Sequence, residues 1–252
     1  MIRVENISKS FNNERVLEDI SVTFEEGKTN LIIGQSGSGK TVLIKCIIGL
    51  HEVSEGNVFF HDRNMTAMSV KERQILRREM GNLFQGSALF DSLTVEQNIK
   101  FPLDMFTNFT TGEKKKRVDF CLDRVHLQRV NDLYPAELSG GMQKRAAIAR
   151  AIVQNPRYLF CDEPNSGLDP ITSIVINDLI SDITHEYNMT TVINTHDMNS
   201  VMEIGEKVIF IYRGVKEWEG SKDNILIASD ENKNLNDFVF ASNMAKKLKE
   251  KS

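Results

Sequence analysis

Short apolar runs alternate with longer amphipathic stretches along most of this chain of 252 residues. The first part alternates apolar and polar positions, which predicts short strands at residues 3–8, 16–24 and 29–33. Further on, the apolar runs in "RYLFCDEP", "TTVINTH" and "EKVIFIYRG" have the length of strands, and helical periodicity separates them. This alternation predicts an α/β fold in which helices cover both faces of a mostly parallel sheet, preceded by an N-terminal antiparallel β subdomain.

The middle of the chain, residues 86–138, has a more helical texture. Thr94 and Gln97 match a capping box, and "EKKKRVDFCLDRV" follows as a basic helix. We therefore predict an inserted α-helical subdomain within a main domain of residues 1–231. The remainder, residues 232–252, predicts an amphipathic helical tail. Its lysines either dock on a partner or form a solvated end: Lys246, Lys247, Lys249 and Lys251.

Composition narrows the classes of function. The net charge of −4 gives no global basic field, so we expect no nucleic-acid partner. The 3 cysteines lie far apart without CxxC spacing, which favours reduced thiols in a cytosolic protein. No apolar run approaches the roughly 20 residues that a membrane span needs. We therefore expect a soluble protein that can still dock on a membrane protein.

The most informative turn is "IIGQSGSGKT", in which Gly34, Gly39, Lys40 and Thr41 fit the pattern G-x-x-x-x-G-K-[ST]. Glycines let several backbone N–H groups converge on a phosphate chain, and the following helix adds its positive end. Lys40 would reach the β- and γ-phosphates, and Thr41 would ligate Mg²⁺. The pattern predicts a P-loop nucleotidase core whose phosphate-binding residues are Gly34, Gln35, Ser36, Gly37, Ser38, Gly39, Lys40 and Thr41.

A metal-holding acid is expected at the end of a neighbouring strand, and "YLFCDEP" supplies two candidates. Open α/β sheets place ligands at the C-terminal ends of their strands. Asp162 would hold Mg²⁺, and Glu163 would orient and polarise the attacking water. The alternative is a pair of turn acids before Pro164.

A second helix start suited to an anion occurs in "LSGGMQKRAAIARAI". Ser139, Gly140 and Gly141 open this amphipathic helix. Because the glycine-rich turn can already surround a triphosphate, the second helix start is explained if it caps a nucleotide held by another copy of the chain. The alternative is a flexible helix start.

These motifs together resemble the ATP-binding cassette (ABC) ATPases, whose signature is similar to "LSGGMQ". Gln85 resembles the family's Q-loop glutamine, which senses metal and water and connects to the transmembrane partner. Asp169 ends "SGLD", which resembles the D-loop that crosses to the other subunit. His196 resembles the switch histidine that contacts the γ-phosphate, and Phe11 stands where the family has an adenine-stacking aromatic residue.

Each of these four residues also has a structural interpretation. Asp169 followed by Pro170 makes a good N-cap and first residue of a helix. Gln85 and His196 could be solvated loop residues, and Phe11 could be packed within its strand. Three positions depart from the family's common residues without removing a catalytic group: Phe11 for tyrosine, Gln35 for proline and Gly167 for alanine.

The resemblance implies ATP and Mg²⁺ as ligands and two copies facing each other head to tail. It also implies a separate integral membrane permease and a place on the cytoplasmic side of the inner membrane. The permease would contact "GSALFDSLTVEQNIKFPL". The apolar residues of this stretch either receive a coupling helix or form the insertion's own core: Leu89, Phe90, Leu93 and Phe101.

That stretch, "THDM" and the tail are similar to the ATPases of Mla-type lipid transporters, which work with MCE-domain proteins. This resemblance implies phospholipid transport between membranes, an MCE-domain partner and, in some members, a small STAS-domain protein. The tail would then contact the sister ATPase or the small partner. The alternatives are the ATPase of an amino-acid importer, that of a lipoprotein-releasing complex, or an ABC ATPase of DNA repair or the ribosome. The last class usually carries tandem cassettes, a long coiled coil or zinc cysteines, which this sequence lacks.

Overall fold

The computed structural model describes residues 1–241. Within this part, the strands are β1 (Ile2–Phe11), β2 (Glu14–Phe24), β3 (Thr29–Ile33), β4 (Glu55–Phe60), β5 (Arg63–Asn64), β6 (Met80–Leu83), β7 (Tyr158–Asp162), β8 (Thr190–Thr195), β9 (Lys207–Tyr212) and β10 (Val215–Gly220). The α-helices are α1 (Lys40–Ile47), α2 (Val70–Arg77), α3 (Val95–Phe106), α4 (Thr111–Arg124), α5 (Gly140–Ile152), α6 (Pro170–Glu186), α7 (Met198–Ile204), α8 (Ile225–Glu231) and α9 (Lys233–Phe240).

The N-terminal strands form an antiparallel sheet of order β2-β1-β4-β5, as the alternating pattern predicts. Val4 of β1 lies opposite Val22 of β2 and Val58 of β4, and all three side chains are buried. One face of this sheet is therefore a row of branched apolar residues, which covers one side of the main sheet.

The main sheet has the order β10-β9-β3-β8-β7-β6, and every pair is parallel except the β9–β10 hairpin at one edge. Its central strands β3 and β8 are buried along their whole length, so both faces of the sheet are covered. Ile32 contributes to the core shared with α1 and the antiparallel sheet, whereas Leu31 and Ile33 contribute to the core on the other face. The mostly parallel α/β fold is confirmed.

The predicted helical insertion is present as α3 and α4, which pack against α5. The capping box at the start of α3 forms: Gln97 N donates to Thr94 Oγ1 at 3.3 Å, and Thr94 N donates to Gln97 Oε1 at 2.9 Å. Ile99 and Val118 of the insertion belong to the same apolar cluster as the main sheet. The insertion therefore shares a core with the rest of the chain.

The C-terminal part that the structure describes is also joined to the main core. Leu235, Phe238 and Val239 of α9 are buried in the cluster on the insertion side of the sheet. The rest of the predicted tail lies outside the described residues, including its lysines Lys246, Lys247, Lys249 and Lys251. No helix within residues 1–241 has both the length and the apolar character to cross a bilayer.

Candidate functional site

The turn between β3 and α1, which we call the cradle, is shaped by three glycines. Gly34, Gly37 and Gly39 have φ angles of 150°, 80° and 103°, in a region that residues with a side chain rarely adopt. A Cβ atom on Gly34 would also collide with the carbonyl oxygen of Ile211. The backbone can therefore curve around a phosphate chain only because these positions lack side chains.

Lys40 opens α1 and folds back over the cradle. Its Nζ donates hydrogen bonds to the carbonyl oxygens of Gly34 and Gln35, at 2.8 and 2.9 Å. Burial lowers the pKa of this lysine, against the raising effect of the nearby Glu163 and Asp162 carboxylates. A phosphate oxygen could replace either carbonyl as the partner of the ammonium group.

The two predicted acids follow β7 at the same edge of the sheet. Thr41 Oγ1 lies 3.3 Å from Asp162 Oδ1, so the two predicted metal ligands are already adjacent. Glu163 has a φ of 50° and donates its N–H to the carbonyl oxygen of Asn194 at 2.9 Å. A left-handed conformation costs a residue with a Cβ about 1–2 kcal/mol. The surrounding contacts hold Glu163 in this conformation despite its cost.

His196 lies directly beside Glu163. Its Nδ1 is 2.8 Å from Glu163 Oε1. The imidazole is 64% exposed and the carboxylate 16% exposed, so the histidine covers the acid from the solvent side. Because an ionised carboxylate only accepts hydrogen bonds, Nδ1 is the donor, and Nε2 is left for another partner.

Asn194 of β8 is part of this site, although the sequence analysis did not identify it. Its Nδ2 lies 2.5 Å from Asp162 Oδ1 and 3.0 Å from Thr41 Oγ1. The backbone register pairs Asn194 with Asp162 across adjacent strands, which brings the two side chains together. The only sequence signal is a single amide inside the buried strand "TTVINT".

These groups open onto a cavity of about 720 Å³. It is lined by Val16, Gln35, Ser36, Gly37, Gly39, Lys40, Thr41, Val42, Gln85, Glu163, Asn194, His196, Met198, Phe238 and Ala241. Gln85 therefore lines the same cavity as the cradle. Phe11 is not part of this lining. Its ring instead contacts the His51 ring at a centroid distance of 5.2 Å and Lys9 Nζ at 4.7 Å.

The second predicted anion site lies at the start of α5 and does not line the cradle. Ser139 is exposed and accepts the N–H of Met142 at 3.3 Å, so it is the N-cap of the helix. Gly140 is exposed and Gly141 partly so. Asp169 is likewise an exposed N-cap, accepting from Ile171 N and Thr172 N at 3.1 and 3.0 Å. The hydroxyl of Thr172 also lowers the pKa of Asp169.

The loop that follows Gln85 is held in place by two residues that the sequence analysis missed. Arg150 of α5 donates to the carbonyl oxygens of Ser87 and Ala88, at 3.0 and 2.8 Å. Asn98 is fully buried and bonds both backbone groups of Phe90, at 2.7 and 3.1 Å. The loop therefore has a fixed shape and leaves the Phe90 ring 44% exposed.

The described residues contain no group of three or more His, Cys, Asp or Glu side chains that could hold a metal. A cation at this site would take the Asp162 carboxylate and complete its shell with hydroxyl, amide, phosphate and water oxygens. Mg²⁺ prefers this kind of shell when it binds with a nucleotide. Thr41 and Asp162 are adjacent and Gln85 lines the same cavity as Thr41, and these residues fit Mg²⁺ bound to a triphosphate.

Comparison with protein families supports this interpretation. A sequence model of the family described as "ABC transporter" matches residues 17–166, which is more than half of the chain. The chain is 37% identical to the methionine import ATP-binding protein MetN of Clostridioides difficile (strain 630), over 90% of this chain and 70% of that protein. It is 35% identical to the probable ribonucleotide transport ATP-binding protein mkl of Mycobacterium bovis, over 91% of this chain and 64% of that protein.

Solved structures show the same fold. The ATP-binding cassette MJ0796, solved as a dimer in a post-hydrolysis state bound to ADP and Pi, superposes with a TM-score of 0.80 at 31% identity. That match covers 88% of this chain and 99% of the MJ0796 chain. The cbiO1 protein of Clostridium perfringens, part of the transporter complex cbiONQ, gives a TM-score of 0.84 at 28% identity, over 93% of this chain and 94% of that chain.

Proposed function

The chain belongs to the ABC transporter family, and from this premise we propose how its ATP hydrolysis is organised and what it drives. It is an ATPase subunit that uses ATP with Mg²⁺. We propose that it works as a homodimer on the cytoplasmic face of the inner membrane and drives a separate permease. The observation that carries the proposal is the convergence of cradle, acids and histidine on one cavity.

The residues of that cavity divide the chemistry between them. Lys40 and the cradle N–H groups neutralise the phosphate charge, which is the main requirement of phosphoryl transfer. Thr41 and Asp162 would hold the metal, together with Gln85 from the loop after β6. Glu163 accepts a proton from the attacking water or orients it, and His196, whose Nδ1 lies beside Glu163, contacts the γ-phosphate.

The exposed helix start at Ser139 supports a dimer. Its N–H groups and those of Gly140 lie away from the cradle of the same chain, so an anion there would come from another molecule. Asp169 is, like Ser139, an exposed helix cap, and it would contact the sister subunit. MJ0796, which is similar to this chain, was solved as a dimer.

The exposed aromatic surface beside the insertion supports a permease contact. Phe90 and Phe101 are 44% and 38% exposed, and their ring centroids are 5.0 Å apart. Phe90 lies five residues after Gln85 (90 − 85) in the same loop, so a helix seated there could act on the cradle through that loop. Large exposed aromatic residues of this kind are typical of protein interfaces.

For the transported substrate, we favour an amino acid such as methionine, because relatives that match most of this chain are methionine import proteins. Phospholipid transport with an MCE-domain protein and a STAS-domain protein is the second candidate. The observation that favours it is the sequence likeness of residues 86–103 and "THDM" to the Mla-type ATPases.

Purification of the tagged protein from detergent-solubilised membranes tests both the permease partner and the class of transported substrate. Mass spectrometry of the bound proteins is expected to find one integral permease, and ATPase activity of the complex is expected to depend on Mg²⁺. A bound amino-acid-binding protein would support the importer, and an MCE-domain protein with phospholipid would support the second candidate. Recovery of ribosomes or DNA in place of a permease would contradict the transport function.

A further inference from the structure

The buried amide of Asn194 stands between the two predicted metal ligands of this chain. Asn194 is 1% exposed, and its side chain lies on the sheet face that carries Val192 and packs against α1. An amide in such an apolar layer is unfavourable unless its polar atoms are bonded. A purely structural role would be better served by an aliphatic side chain, so the amide requires another explanation.

The orientation of the amide follows from its neighbours. Nδ2 lies 2.5 Å from Asp162 Oδ1, and only the NH₂ group can face a carboxylate oxygen favourably. The same Nδ2 lies 3.0 Å from Thr41 Oγ1. One amide therefore bridges the hydroxyl and the carboxylate, and it fixes the rotation of both.

This orientation leaves the other atom of the amide without a partner. Asn194 Oδ1 is buried and accepts no hydrogen bond from any residue in the described part of the chain. Asn194 also lines the cavity that contains Lys40 and Glu163. A buried acceptor at the edge of a nucleotide cavity is placed to bond a donor that arrives with the ligand, such as water on a cation.

We propose that Asn194 is a positioning residue for Mg²⁺, in addition to the residues of the sequence motifs. Its Nδ2 holds Asp162 and Thr41 in a metal-ready arrangement, and its Oδ1 accepts a hydrogen bond from water bound to the cation. This inference rests on the proposed binding of MgATP at the cradle. Groups that orient metal ligands typically change metal affinity by about 10–100-fold when they are removed.

Equilibrium titration of a fluorescent, non-hydrolysable ATP analogue against Mg²⁺ tests the inference without measuring turnover. For Asn194→Leu, which keeps the side-chain size, the Mg²⁺ concentration that half-maximally tightens analogue binding is expected to rise about tenfold. Binding in EDTA is expected to stay at the wild-type value, because the cradle itself is unchanged. If circular dichroism shows that Asn194→Leu does not fold, the β-branched Asn194→Val takes its place.

Thr191→Val is the matched control on the same strand. Thr191 is fully buried and its hydroxyl bonds Thr184 at 2.6 Å, on the face of β8 away from the cradle. This variant loses a buried polar contact but is expected to keep the wild-type response to Mg²⁺. A wild-type Mg²⁺ response in the Asn194 variants, or an equal shift in Thr191→Val, would overturn the inference. Loss of Mg²⁺-dependent binding in the wild type would instead contradict the proposed function.

Discussion

The cradle and the start of α5 are both helix N-termini that favour an anion, but the chain completes them to different degrees. At the cradle, Lys40 and Thr41 of α1 line one cavity, and Asp162 of β7 lies beside Thr41. At the start of α5, Ser139 is exposed and bonds only its own helix. The fold of one chain thus assembles the first site. At the second site, the described residues of the same chain supply only the helix start.

This difference predicts how the two sites respond to mutation. Changes at the cradle should affect each subunit by itself, through nucleotide binding or the chemical step. Changes at the start of α5 should leave the isolated subunit able to bind ATP and should act only when two copies meet. Four substitutions test this distinction.

The largest effect is expected for Glu163→Gln. The amide keeps the size of the side chain and its contact with His196 Nδ1 but cannot take a proton from water. We expect ATP turnover to fall by about 10²–10⁴-fold, the usual contribution of a general base. Steady-state phosphate release measures the loss, and fluorescent nucleotide titration checks that ATP still binds.

Two further outcomes bear on this variant. Size-exclusion chromatography with ATP is expected to show the variant as a persistent dimer, because the closed state is no longer relieved by hydrolysis. Turnover near the wild-type rate would remove Glu163 from the proposed chemistry and leave it as a turn residue.

The next largest effect is expected for Ser139→Arg. The long cationic side chain would occupy the anion site offered to the other copy, and hydrolysis is expected to fall by about 10²–10³-fold, as for loss of an anion-stabilising donor. Nucleotide titration of the isolated subunit should give the wild-type dissociation constant. If the isolated Ser139→Arg subunit no longer binds nucleotide, the start of α5 and the cradle are not independent sites.

Thr110→Arg is the matched control for Ser139→Arg. Thr110 is also an exposed N-cap, at the start of α4, and accepts the N–H of Glu113 at 3.3 Å. The same substitution there removes a cap, at about 1 kcal/mol of stability, and adds the same charge. Hydrolysis is expected to stay at the wild-type rate. An equal loss in both variants would attribute the effect to helix capping.

The sequence predicted the cradle well because its determinants are local. Gly34, Gly39, Lys40 and Thr41 must stand at fixed spacing for one turn to bind phosphate, so the spacing is visible in the chain. The capping box of Thr94 and Gln97 is predictable for the same reason. The order of strands and helices also follows from periodicity, because each element must bury an apolar face.

The parts that could not be predicted depend on contacts between distant residues. The position of Asn194 beside Asp162 follows only from the register that pairs the two residues on adjacent strands. Arg150 looks like any polar residue of an amphipathic helix, and its bonds to the loop at Ser87 follow from how α5 packs. Strand ends were also predicted imperfectly, because β1 runs from Ile2 to Phe11, beyond the predicted residues 3–8.

A smaller effect is expected for Phe11→Ala. Stacking of a base on an aromatic ring contributes about 1–3 kcal/mol, so the dissociation constant of ATP should weaken accordingly if Phe11 stacks on adenine. The ring now contacts His51 and Lys9, so stacking would require it to turn from these partners.

Isothermal titration with ATP measures the effect of Phe11→Ala, and Phe59→Ala serves as the control. Phe59 is a partly exposed phenylalanine of the same sheet, with the Arg3 guanidinium 4.6 Å from its ring centroid. It should bind ATP as the wild type does. An unchanged dissociation constant in Phe11→Ala would identify Phe11 as a packing residue.

The smallest effect is expected for Phe90→Ser, which tests a surface that lies outside both nucleotide sites. The ring is 44% exposed and does not line the cradle, so basal ATPase activity of the isolated subunit should remain at the wild-type value. Recovery of the permease from detergent-solubilised membranes should fall about fivefold, for a loss of about 1 kcal/mol at an interface. Phe120→Ser, 41% exposed on α4, is the control and should recover the permease normally. Equal recovery in both variants would contradict a permease contact at Phe90, because the exposed ring would then be dispensable for assembly.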